Sequence, residues 1–131
     1  MKALIGVVII TCLLSVSSKA QSATPAKLHF LNVINGLSKP EIKTANEMKK
    51  PILLKSRTWV TIQTAGDSLG LILNGKPYSI RFEPNKEYYF VLQANYTGWV
   101  ITEKSEREFI LTAAVNSAKG PEIYVLSSVT D

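Results

Sequence analysis

The eighteen residues from Tyr78 to Asn95 restrict what this chain can fold into more than any other stretch. Tyr78, Ile80 and Phe82 alternate with Ser79, Arg81 and Glu83, the two-residue period of a strand with one buried face. Pro84 presets φ for a turn, and Asn85 tolerates the dihedrals that turns demand. Past this corner, Tyr88, Phe90, Leu92 and Ala94 form one apolar face, opposed by Tyr89, Val91, Gln93 and Asn95. Parity decides how the two halves relate. A two-residue hairpin on Pro84-Asn85 would pair Ile80 with Tyr89 and Phe82 with Glu87, and cross-strand partners share a face. That register turns a glutamate into the core and sends Tyr88, Phe90 and Leu92 away from it. Residues 83–87 are therefore expected to carry the chain from one sheet to another, so two sheets are required.

The same corner resembles the tyrosine corner of fibronectin type III and other immunoglobulin-like domains, in which an apolar residue, a proline and a tyrosine precede an inward-alternating strand. Phe82, Pro84 and Tyr88 occupy those places, and Phe90, Leu92 and Ala94 continue the strand. The resemblance covers one strand and its corner. Asn85 stands where such corners often carry glycine, and room for three strands follows where a fibronectin domain has one. The resemblance implies a sandwich in which Tyr88 is buried with its hydroxyl bonded to nearby backbone, and Tyr89 is markedly more exposed.

The rest of the chain reads in the same terms. Leu28–Ile34 is expected as a first strand, closed by Asn35-Gly36. Residues 37–50 fit a helical turn or a loop equally. Pro51–Lys55 and the β-branched, aromatic run Thr58–Thr64 are expected strands. Leu69–Leu73 and Pro77–Phe82 flank Asn74-Gly75, a type I′ hairpin signal that sets Leu71 opposite Tyr78, Leu69 opposite Ile80 and Pro77 opposite Ile72. Trp99–Thr102 follows the corner strand. The charged run Glu103–Glu108 is expected as a solvated tip, Phe109–Val115 as a strand, Asn116–Pro121 as a loop and Glu122–Leu126 as the last strand. About eight short strands without a convincing long helix predict an all-β chain, an antiparallel β-sandwich of immunoglobulin-like type.

Residues 1–20 have the layout of a secretory signal peptide: basic Met1-Lys2, an apolar run from Ala3 to Leu14, then small residues ending Ser18-Lys19-Ala20. The apolar run is too short for a membrane span. Cleavage is expected after Ala20, with Ala23 as the second choice, leaving 21–131 as one domain in a secreted or periplasmic product. Loss of Cys12 leaves no thiol for a disulfide, so stability must come from burial. Loss of Lys2 and Lys19 from fifteen basic residues leaves thirteen against ten acidic groups, a net of +3.

Chemistry is sparse. His29 is the single histidine; it sits between Leu28 and Phe30 with no cysteine or carboxylate at ligand spacing, and reads as a surface or rim residue. Nucleophile elbows, phosphate loops and metal-binding histidine pairs are missing, so no catalytic residue, metal or cofactor is expected and the chain is not read as an enzyme. The lysines form no contiguous stripe with interleaved aromatics, which argues against nucleic acid. Tyr89, Tyr96 and Trp99 are the candidate binding residues, on an outward strand face and at a turn. The expected function is a non-catalytic domain contacting a protein partner. The alternatives are a carbohydrate-binding module using the three aromatics, or an inhibitor of an extracellular hydrolase presenting 103–108.

Overall fold

The alternation that defines the corner is present in the computed structural model, which describes residues 24–35, 40–43, 50–96 and 98–126. The signal-peptide reading and most of 37–50 lie outside the described residues. Among the described residues, nine strands form two sheets: β1 (Ala26–Asn32), β2 (Glu41–Lys43), β3 (Ile52–Leu53), β4 (Thr58–Thr64), β5 (Ser68–Leu73), β6 (Lys76–Arg81), β7 (Glu87–Asn95), β8 (Gly98–Lys104) and β9 (Lys119–Leu126). The larger sheet runs β8-β7-β1-β4-β9, the smaller β3-β2-β5-β6. The chain is a β-sandwich. Its pairing is mixed, because β1 runs parallel to β7 and β4 parallel to β9, where antiparallel strands were expected throughout.

The corner behaves as parity requires. β6 ends in the smaller sheet, β7 begins in the larger, and 82–86 cross between them. Asn85 takes a φ of 61°, the turn conformation asparagine tolerates. The Glu83 N–H donates to the Tyr88 hydroxyl at 2.9 Å, closing the corner with the bond the resemblance implies. The β5–β6 hairpin also has its expected register, Leu71 opposite Tyr78 and Ile72 opposite Pro77, with Asn74 and Gly75 both at positive φ.

One core lies between the sheets. Leu28, Phe30, Val60, Ile62, Phe90 and Leu92 of the larger sheet meet Ile42, Ile52, Leu69, Leu71 and Leu73 of the smaller. A second, smaller core lies on the other face, where a helix covers the sheet: α1 (Glu106–Val115) presses Phe109 and Ala113 onto Leu31 and Val91. This overturns two expectations. Glu103–Glu108 is the end of β8 and the first turn of a helix, and Phe109–Val115 is helical.

The physical reason is legible in retrospect. Ser105 and Glu108 form a capping box: the Ser105 side chain accepts from the Glu108 N–H at 3.2 Å, and the Glu108 carboxylate reaches back toward the Ser105 N–H. Glu106 and Glu108 also place negative charge at the positive end of the helix. Phe109 and Ala113, four apart, share the face turned to the sheet.

Tyr88 and Tyr89 are consequently both half-buried, Tyr88 toward the sandwich core and Tyr89 under α1, so the expected contrast in exposure is absent. The face opposite Tyr88 is not solvent. It is the helix contact.

Three substitutions at two positions test these assignments by urea denaturation. Ser105→Ala should destabilise by about 1 kcal/mol through loss of the cap, and Ser105→Asp should be nearly silent. Tyr88→Phe should cost about 1 kcal/mol, the net worth of one hydrogen bond. A silent Ser105→Ala would show that 106–115 does not depend on its capping box.

Candidate functional site

The three aromatics chosen from the sequence do not form one surface. Tyr96, at the end of β7, is fully exposed (108%). Trp99, paired with Ala94 on β8, packs against the core between the sheets. Tyr89 lies on the opposite face of the larger sheet, half-buried beneath α1. Only Tyr96 stands free in water.

Tyr89 instead belongs to a polar cluster that the sequence reading missed, organised around His29. The parallel β1–β7 register sets His29 beside Tyr89 and Lys27 beside Glu87, and the β1–β4 register sets His29 opposite Thr61. The imidazole stacks on the Tyr89 ring, with centroids 4.5 Å apart and planes within 8°. Its Nδ1 lies 2.8 Å from Thr61 Oγ1 and 3.3 Å from Trp59 Nε1, and its Nε2 lies 3.3 Å from a Glu87 oxygen. The Tyr89 hydroxyl donates to the same Glu87 oxygen at 2.8 Å. Phe109 of α1 closes the cluster, 5.0 Å from the Trp59 ring and 5.3 Å from that of Tyr89.

These partners assign the tautomer. An indole N–H can only donate, so Nδ1 must accept, and the ring proton sits on Nε2 and points at Glu87. Protonating Nδ1 would set two donors against each other. Burial holds the His29 pKa below its ordinary 6.5, against the opposing pull of Glu87. The Tyr89 hydroxyl, together with His29, holds the Glu87 carboxyl below the ordinary range. Desolvation, Glu87 and Glu106 push the Tyr89 phenol upward.

Hydroxyl, imidazole and carboxylate stand in the order of a nucleophile relay. Thr61 is only 4% exposed, however, and its hydroxyl shares Nδ1 with an indole, so a substrate carbonyl has no approach to Oγ1. The cluster suits clamping α1 to the sheet. No signal in the sequence joins His29 to Glu87 across 58 residues; only the parallel pairing does. Among the described residues no group of three His, Cys, Asp or Glu side chains could hold a metal ion, and no helix is long and apolar enough to cross a membrane.

The other notable surface is the far end of the larger sheet. α1 lies mainly over β7 and β8, and β9 is exposed along nearly its whole length. Ile123 pairs with Thr61 and Val125 with Gln63, so both point to the helix side, where they are 61% and 73% exposed. On α1 itself, Ile110, Leu111 and Val115 also face water, Val115 at 84%. β9 enters the sheet through a bulge in which Gly120 and Pro121 stand against Trp59 alone. Gly120 has φ 120°, and a Cβ there would press into the Trp59 carbonyl, so glycine is required.

The lowered His29 pKa sets a sign. Stability from the neutral ring is fully present above pH 6.5 and is lost as the pH falls through the folded value. Lys27 on β1 favours the same neutral state, while Glu87 on β7 and Glu106 on α1 oppose it. NMR titration of the imidazole should give a midpoint below 6.5, and the urea midpoint should fall between pH 7 and 5, with a flatter slope in His29→Gln. A midpoint above 6.5 would contradict the Trp59–Nδ1 assignment. No protein-family model, curated protein or solved structure matches this chain, so its function is read from these surfaces alone.

Proposed function

We propose that the protein is an exported, non-catalytic binding domain that works by contacting a protein partner. The observation that carries this reading is the set of large apolar side chains left in water on the helix side of the larger sheet: Ile123 and Val125 on β9, with Leu111 and Val115 on α1. Scattered exposed apolar residues are ordinary, but several on one side of a small domain mark a surface that a partner covers. A protein fits better than a small solute, because the groove that Val125 borders is open along its length and not an enclosed cavity. Export is supported by the basic, apolar and small-residue layout of residues 1–20.

The glycan reading needed Tyr89, Tyr96 and Trp99 together, and Tyr89 and Trp99 stand on opposite faces of one sheet. The inhibitor reading needed a projecting loop at 103–108, where β8 ends and α1 begins. Neither has an observation in its favour.

A photo-crosslinking amino acid at Val115 or Val125 should form a discrete protein adduct in the envelope or extracellular fraction of the source cell, and one at Asn85 should not. Equal labelling at all three positions would sink the reading. Mass spectrometry of the exported product should find the chain starting at Gln21 or Thr24; a chain retaining Met1 would remove export from it.

A further inference from the structure

Among the described residues, the four sheet edges are not protected alike. β3 is two residues long, and β6 carries Lys76, Pro77 and Arg81. β8 ends in Glu103-Lys104 beside the helix cap. Short length, charge and proline are the means by which proteins keep other strands from pairing with an edge. On β9 these devices gather at the start, in Lys119, Pro121 and the bulge against Trp59. Ile123, Tyr124, Val125 and Leu126 then follow with no lysine, arginine or proline among them. Alternate backbone N–H and C=O groups of this stretch face away from β4, as on any edge strand.

The space beside this edge has a shape. β3 ends the smaller sheet on the same side, and between β3 and β9 runs an open groove of about 390 Å³. Ile52, Leu53, Tyr124 and Leu126 give it apolar walls, and Lys50 and Lys55 stand over it. Its carboxylate is Glu122, which already accepts a bond from the Tyr124 hydroxyl at 3.2 Å. A strand added to β9 would lie along this groove, and about five residues, roughly 17 Å, would match residues 122–126.

We infer that β9 is a docking edge for an extended acidic segment of a partner protein, which joins the larger sheet as a sixth strand. Its backbone pairs with 122–126, its alternate apolar side chains enter the groove, and its carboxylates meet Lys50 and Lys55. Charge complementarity selects this occupant over a second copy, which would bring its own Lys50, Lys55 and Lys119 to the same edge. The inference rests on the proposed protein-binding surface and specifies how that surface is used.

The probe is a blocked eight-residue peptide alternating valine with glutamate and threonine, compared with its glutamate-to-lysine analogue. Titrated into the protein, the acidic peptide should shift the NMR amide signals of 122–126 and slow hydrogen exchange at alternate amides of that stretch, a pattern that side-chain docking alone does not give. The lysine analogue should bind at least ten-fold more weakly. The double variant Lys50→Glu, Lys55→Glu should reverse the preference, and Val125→Lys, at an exposed position that leaves the fold intact, should weaken binding ten-fold or more. Shifts elsewhere, equal affinity for both peptides, or a concentration-dependent dimer paired through β9 would each overturn the inference. If those results come with intact crosslinking at Val125, the surface is real and strand addition is wrong. If crosslinking fails too, the surface reading falls with it.

Discussion

Everything else in this molecule depends on burying both faces of β1 and β7. These strands are neighbours in the middle of the larger sheet and run parallel, an arrangement that is stable chiefly where both faces are covered. Leu28, Phe30, Phe90 and Leu92 are covered by the smaller sheet; Leu31 and Val91, pointing the other way, are as deeply buried. Without α1, those two side chains would face water, at about 1.5–3 kcal/mol each. The helix is therefore no appendage. It replaces the second covering layer that the sandwich lacks, and Phe109 is the side chain that seats it. Phe109→Ala would leave a void between Leu31 and Val91, with a loss of about 3–5 kcal/mol.

The helix side is also where the sheet's polar chemistry lies, because parity puts His29 on the same face as Leu31, and Glu87 and Tyr89 on the same face as Val91. A helix covering that face must seat over a histidine, which cannot be buried without partners, while Glu87 beside it keeps about half of its side chain in water. Trp59, Thr61 and Tyr89 supply them: no described buried side-chain nitrogen or oxygen lacks a hydrogen-bond partner. Asn32 does the same at the end of β1, donating to the Leu54 carbonyl and accepting from the Ile34 N–H. That pair ties the central strand to the segment that leads into β4.

Local signals in the sequence were read well where the chemistry is local. Asn74-Gly75 specifies its own hairpin, and the parity of Tyr88, Phe90 and Leu92 specifies a crossing between sheets, since a strand has only two faces. The misreadings of the helix and of the face it covers share one source. Ser105-Glu106-Arg107-Glu108 is a capping box, and a charged run before an apolar one also looks like a hairpin tip before a strand. Choosing the tip removed the helix, and removing the helix left Tyr89 outward and His29 at the rim. The His29–Glu87 pairing was beyond reach for another reason: it depends on which strands become neighbours, and two parallel partners far apart in sequence announce nothing locally. Tyr89, Tyr96 and Trp99 are alike in type, but strand parity puts Tyr89 and Trp99 on opposite faces of the larger sheet.

Geometry then explains why β9 is open. A helix is about 10 Å across, so it spans roughly two strands spaced about 4.8 Å apart, and the larger sheet has five. With α1 over β7 and β8, and Phe109 reaching across β1 to Trp59, its cover ends before β9. The fold consequently asks nothing apolar of Ile123 and Val125. Threonine or lysine there would keep the β4 pairing and lose little buried area, and lysine would also guard the edge. Yet Ile123 and Val125 are apolar, and Val115 on the helix is apolar as well. These are the apolar residues that the proposed partner surface would bury.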